Sequence, residues 1–122
     1  MESFKVIIAG GRYFNDYDLL KQKADYFLSK KILTHEVVIV SGHASGADSL
    51  GERYAAERGL KVELYPADWN AYGRSAGIRR NRQMAEAANA LIAFWDGQSR
   101  GTKNMISEAE ALHLPTKIVL YK

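Results

Sequence analysis

The chain has 122 residues, enough for one hydrophobic core and too few for two. Hydrophobic residues make up 47% and charged residues 25%, the balance of a soluble globular domain, and the lack of cysteine excludes disulfides and thiolate metal sites. A net charge of +3 does not by itself argue for nucleic acid. No apolar run approaches the roughly 20 residues of a membrane span, and Met1 to Phe4 do not lead into a signal peptide, so a cytoplasmic protein is expected.

Lys5 to Ala9 is a short apolar run that reads as the first strand, ended by Gly10-Gly11-Arg12. Asn15, Asp16 and Asp18 are N-cap candidates for a helix from about Tyr17 to Lys31, with Leu19, Leu20, Ala24, Phe27 and Leu28 at helical spacing. Val37 to Val40, four β-branched residues, read as a strand buried on both faces. Ser41-Gly42 stops it, and Gly46 opens a helix that runs to about Arg58 and ends at Gly59. Lys61 to Tyr65 alternates apolar and charged residues, the pattern of a strand nearer a sheet edge. Pro66 to Arg74 reads as a loop. Ser75 is placed to cap a helix from about Ala76 to Asn89, with Ile78, Met84 and Ala88 facing inward. Ala90 to Trp95 is another buried strand, Asp96 to Gly101 a polar loop, and Thr102 starts a helix ending near Leu112. Pro115 blocks its extension and Lys117 to Tyr121 closes the chain as a fifth strand. Strands alternating with helices predict a Rossmann-like α/β three-layer sandwich around a parallel five-stranded sheet, in one domain over residues 1–122.

Parallel sheets bind ligands at the carboxyl ends of their strands. Four loops leave those ends: 10–16, 41–47, 66–74 and 96–102. They hold glycines that let a backbone approach a phosphate (Gly10, Gly11, Gly42, Gly46, Gly101), hydroxyls (Ser41, Ser45, Ser99, Thr102), cations (Arg12, Arg74, Arg100) and flat aromatics (Tyr13, Trp69, Tyr72). The set suits a nucleotide, with donors for phosphate and a ring to stack on the base. Each piece also has a plainer reading. The glycines could serve only tight turns, the arginines at 79, 80 and 82 an exposed helix face, Trp69 and Tyr72 packing, and Asp48 a helix cap. His43 lacks a carboxylate–histidine cluster at ligand spacing, so no metal is expected. Neither the G-x-x-x-x-G-K-[ST] nor the G-x-G-x-x-G fingerprint occurs.

Four pieces carry a resemblance, three of them after strands and one in the third helix: Gly10-Gly11-Arg12, Ser41-Gly-His-Ala-Ser-Gly-Ala-Asp48, Arg79-Arg-Asn-Arg-Gln-Met84 in the helix, and Gly101-Thr102. In that order they resemble the SLOG superfamily, in particular its YspA/YpsA-related single-domain branch. The Ser41 to Asp48 segment is similar to one in the DNA-processing protein A family. Arg80 and Met84 match part of the R-K-x-x-M pattern of the LOG phosphoribohydrolases, with Asn81 in place of the lysine, and Gly101-Thr102 match part of their P-G-G-x-G-T-x-x-E pattern. The chain departs where those hydrolases have a catalytic glutamate, at Met105, and Glu108 lies one turn further on.

The resemblance, together with the loops, implies a nucleotide-type ligand and no other cofactor. Expected phosphate or nucleotide contacts are Gly10, Gly11, Arg12, Ser41, Gly42, His43, Gly46, Asp48, Arg74, Arg80, Asn81, Ser99, Gly101 and Thr102, with Trp69 or Tyr72 stacking on the base. The leading expectation is a sensor or sequestering protein for a nucleotide-derived signal of ADP-ribose or cyclic-nucleotide type. A phosphoribohydrolase that cleaves an N-glycosidic bond with Glu108 or Asp48 is the alternative, and binding of single-stranded DNA is a second one. A homo-oligomer is a further expectation drawn from relatives.

Overall fold

The computed structural model describes residues 1–122. Five strands, β1 (Ser3–Gly10), β2 (Glu36–Ser41), β3 (Lys61–Leu64), β4 (Ala90–Trp95) and β5 (Thr116–Leu120), form one sheet in the order β3-β2-β1-β4-β5. Every pairing is parallel, with Val6 beside Ile39 on one side and Ala90 on the other. The central strands are apolar at nearly every position because helices cover both faces.

Alternation of side chains sorts these strands into two cores. Val6, Ile8, Val37, Ile39, Ile92 and Phe94 pack with α1 (Tyr17–Leu28) and α3 (Ala47–Arg58). Ile7, Ala9, Val40, Leu91 and Ala93 pack with α5 (Ala76–Ala87) and α6 (Arg100–Ala111). The chain therefore moves outward from β1 through β2 to β3 under one pair of helices, then returns to β4 and β5 under the other. The reversal falls between β1 and β4, the switch point where such sheets open a crevice beyond the strand ends.

Local signals match the expected ends in several places. Asp16 caps α1 by accepting from the Leu19 amide at 3.0 Å. Gly59 ends α3 in the left-handed conformation, at φ 67°. The alternating strand β3 is an outer strand of the sheet.

Other boundaries differ. The first helix stops at Leu28, where the Ser29 hydroxyl donates to the Tyr26 carbonyl, and residues 31–34 form a separate turn, α2 (Lys31–Thr34). The loop after β3 contains a short helix, α4 (Trp69–Tyr72), because Asp68 accepts from the Ala71 amide, followed by a 3₁₀ turn at Gly73–Ser75. Ser75 does not cap α5: its hydroxyl donates back to the Tyr72 carbonyl. Ile78 is half exposed instead of inward, since the sheet lies under Met84 and Ala85 while Ile78 overhangs the crevice. α6 begins at Arg100, one turn-fraction before Thr102.

Candidate functional site

The crevice is a cleft of about 740 Å³ at the carboxyl ends of β1 and β4. Its floor comes from β1 and the turn after it: Ala9, Gly10, Gly11 and Arg12. Gly10 is required here because a Cβ would run into the Phe94 carbonyl and Ala47, which close the β1–β4 junction. At Gly11 a Cβ would meet the Tyr121 hydroxyl. The Gly11 carbonyl accepts from the amides of Phe14 and Ala47 at 3.2 and 3.1 Å, which ties the first turn to the start of α3.

Gly46 makes that contact possible. Its φ of 77° and the backbone of Gly11 and Arg12 pressed against it leave no room for a side chain. It sits behind the floor and does not line the cleft. Ser41 and His43 lie behind it as well. The buried Ser41 hydroxyl donates to Glu52 at 2.7 Å and accepts from the His43 amide at 3.1 Å, while His43 Nδ1 lies 3.0 Å from Glu52. These residues brace the β2–α3 corner, and the structure does not bring them to the cleft surface.

Gly42 also sits behind the surface, with two charged groups crowded over it. A Cβ there would strike the Arg80 guanidinium and the Asp48 carboxylate. Arg80 Nη1 donates to the Gly42 carbonyl at 2.6 Å, and its Nε donates to Asn81 Oδ1 at 3.0 Å. Asp48 accepts from the Ala44 amide at 3.3 Å and is almost fully buried. Burial pushes its carboxyl up to about 6, against the pull of that amide and of Arg80. Burial likewise lowers the Arg80 guanidinium, opposed by Asp48. Both side chains line the cleft.

The opposite wall is the first turn of α6. Ser99 stands at its cap position without a capping side-chain bond, so the first amides of the helix are not satisfied from within it. Asp96 accepts from the amides of Gln98 and Ser99 at 2.8 and 2.7 Å, which shapes the approach to the helix and holds the Asp96 carboxyl below the usual carboxylate range. Asn81, buried on α5, donates to Asn104 Oδ1 at 2.9 Å and to the Gly101 carbonyl at 3.4 Å. A run of hydrogen bonds thus crosses the cleft from Gly42 through Arg80 and Asn81 to the start of α6.

Of the residues singled out from sequence, the cleft brings together Gly10, Gly11, Arg12, Asp48, Trp69, Arg74, Arg80, Asn81, Ser99, Gly101 and Thr102. Tyr72 is not among them, and its ring lies under the Arg79 guanidinium at 4.4 Å. Glu108 is also outside the cleft, where it pairs with Arg82 at 3.3 Å across the α5–α6 contact. Met105, buried, lines the cleft with Met84 and Ile78. Sequence reasoning passed over Asn104, Tyr121 and Lys122. The last two were discoverable: β5 is parallel too, so the residues after it open on the same side as the four loops. The lining carries five cations (Arg12, Arg74, Arg80, Arg100, Lys122) and two carboxylates (Asp48, Asp96), an excess equal to the net charge of the whole chain, +3.

Comparison with known proteins places these features in context. Residues 4–72 match the model of the YspA, cpYpsA-related SLOG family. The chain is 33% identical over 117 residues to the Gene 61 protein of Mycobacterium phage D29, an alignment spanning 91% of this chain and 92% of that protein. Among solved structures it is similar to TM1055, a structural-genomics target, with a TM-score of 0.66 at 19% identity, covering 95% of this chain and 72% of that one. The last similarity speaks for the fold alone.

Proposed function

The chain belongs to the YspA, cpYpsA-related SLOG family, and on that premise we propose that it binds a nucleotide or nucleotide-derived signal, of ADP-ribose or cyclic-nucleotide type, as a sensor or sequestering protein. One observation carries the reading: the chain's entire net positive charge is gathered on a single cleft whose floor and far wall are glycine backbone and an uncapped helix start. A phosphate group set against Gly101 and Thr102 meets free amides and the positive end of the α6 dipole. Arg12, Arg74, Arg80 and Arg100 neutralise its charge. The apolar wall of Ile78, Met84 and Met105, with Trp69 at the mouth, receives the base, and Asp48 accepts from a ribose hydroxyl. The volume of about 740 Å³ falls within the range of small-molecule sites. Isothermal titration calorimetry across a panel of nucleotides and dinucleotides tests the proposal. Affinity tighter than millimolar for at least one phosphate-bearing member is expected, and its absence throughout the panel would sink the reading.

A second reading rests on Asp48, a buried acid on the cleft wall that titrates near 6. Hydrolysis of an N-glycosidic bond needs a carboxylate near C1′. In this reading Asp48 stabilises the developing positive charge while Arg80 and the α6 start hold the ribose phosphate. Chromatography of nucleoside monophosphates incubated with excess protein distinguishes the two: released base supports hydrolysis, and intact substrate leaves binding alone.

A further inference from the structure

β3 is an outer strand whose open edge is complementary to itself. The Tyr65 amide donates to the Ser41 carbonyl of β2 at 2.8 Å. In a parallel pair, alternate residues bond the same neighbour. Lys61, Glu63 and Tyr65 therefore turn their backbone groups toward β2, and Val62 and Leu64 turn theirs outward. The side chains divide in the same way. Val62 lies beside Ile39 and Leu64 beside Ser41, on the α3 side of the sheet, and they are 37% and 49% exposed. Lys61 and Glu63 lie beside Val38 and Val40 on the other side. There Lys61 Nζ is 3.4 Å from Glu36 and Lys5 Nζ is 2.7 Å from Glu63.

We infer that this edge pairs with the same edge of a second copy of the chain, antiparallel, about a twofold axis at Val62, joining the two sheets into one. Val62 then faces Val62, and their outward N–H and C=O groups bond reciprocally. Leu60 faces Leu64, which completes an apolar row on the α3 side. Lys61 faces Glu63 twice, so charges alternate across the seam: Lys5, Glu63, then Lys61 and Glu36 of the second copy. Opposite charges directly across a strand pair are favourable and like charges are not, and centring the axis on Lys61 or Glu63 would set like against like. The other outer strand lacks this property, since β5 carries Lys117 and no acid. A lone charge on an edge strand discourages foreign strands; a second charge of opposite sign two residues on makes the edge selective for its own copy.

Sedimentation velocity on the full chain tests the seam with Lys61→Glu, Glu63→Lys and their equimolar mixture, with thermal melts as a check on folding. The wild type should sediment as a dimer. Each charge reversal sets like charges opposite each other at both pairs and should weaken self-association at least tenfold. The mixture should recover the dimer, because each strand then carries a single sign that the other complements. If a reversal prevents folding, Lys61→Gln and Glu63→Gln remove the pairs without inverting them and should still weaken the dimer. A monomeric wild type, a dimer indifferent to these variants, or reversed variants that remain monomeric on mixing would overturn the seam. None of these outcomes depends on whether the cleft binds a nucleotide.

Discussion

Asp48 holds a carboxylate where little water reaches, and the cost has a definite pH signature. Unfolded, the group titrates at the ordinary 3.8; folded, it titrates at about 6. Between these values the folded chain keeps a proton that the unfolded chain releases. Its contribution is therefore fully favourable below pH 3.8 and is lost as pH rises through about 6. The shift corresponds to about 3 kcal/mol at neutral pH. Asp48→Asn keeps the shape and the acceptor for the Ala44 amide while removing the charge. Without ligand it should be more stable than the wild type at neutral pH by up to about 3 kcal/mol, with the gap closing toward about pH 4. Under the proposed function the same variant should bind nucleotide less well, by about 1–2 kcal/mol for a weakened hydroxyl contact. Thermal melts of both proteins across that range decide the first part, and parallel curves would show that Asp48 is not strained. Gly46 has the opposite character, since its role is purely steric. Gly46→Ala places a Cβ against the Gly11–Arg12 backbone at a positive φ and should destabilise by about 2–4 kcal/mol in urea unfolding.

Asn81 does for the elements what Gly46 does for the loops, since it connects α5 to α6 and fixes Arg80. Replacing it with alanine leaves Asn104 and the Arg80 Nε each short of a partner in a half-buried place. A loss of about 1–3 kcal/mol is expected by urea unfolding, together with weaker nucleotide binding that Arg80→Ala does not worsen further if the two act as one unit. Additive effects on binding would show that Asn81 acts apart from Arg80. The elements themselves were legible in the sequence because apolar runs and helical spacing report burial directly: all five strands and the four long helices stand where periodicity put them, within a few residues. Short pieces were not. α2 and α4 are single turns held by local hydrogen bonds, and four residues carry no periodicity. The candidate site was half legible for a related reason. Glycines, serines and arginines near strand ends mark a loop as chemical, but residue type does not reveal direction. Ser41 turns to Glu52 and Tyr72 to Arg79, and only the packing of α3 and α5 decides that. Ile78 misled because it keeps helical phase with the buried Asn81 and Ala85, yet in the first turn of α5 it overhangs the cleft and stays half exposed.

At the scale of the whole molecule, the distribution of charge does more than its total. Outside the cleft the remaining cations and carboxylates balance, many of them in ion pairs such as Arg58 with Asp25 and Lys5 with Glu63. An anion approaching from solvent therefore meets a net positive region at the C-terminal ends of the strands, while the formal charges outside it sum to zero. Two consequences can be measured together by thermal shift. Under the proposed function, a nucleotide at 100 times its Kd should add about 2.7 kcal/mol to stability, which for a chain of this length raises Tm by about 10 °C. The gain should shrink as salt is raised, because Arg12, Arg74 and Arg100 are exposed and their attraction is screened over about 8 Å at physiological ionic strength. The portion held by the half-buried Arg80 and the α6 amides should persist. Arg74→Ala and Arg100→Ala should then flatten the salt dependence while leaving most of the high-salt affinity in place, and Arg80→Ala should do the reverse. A salt dependence unchanged by removing the exposed arginines would mean that the ligand sits elsewhere on the molecule.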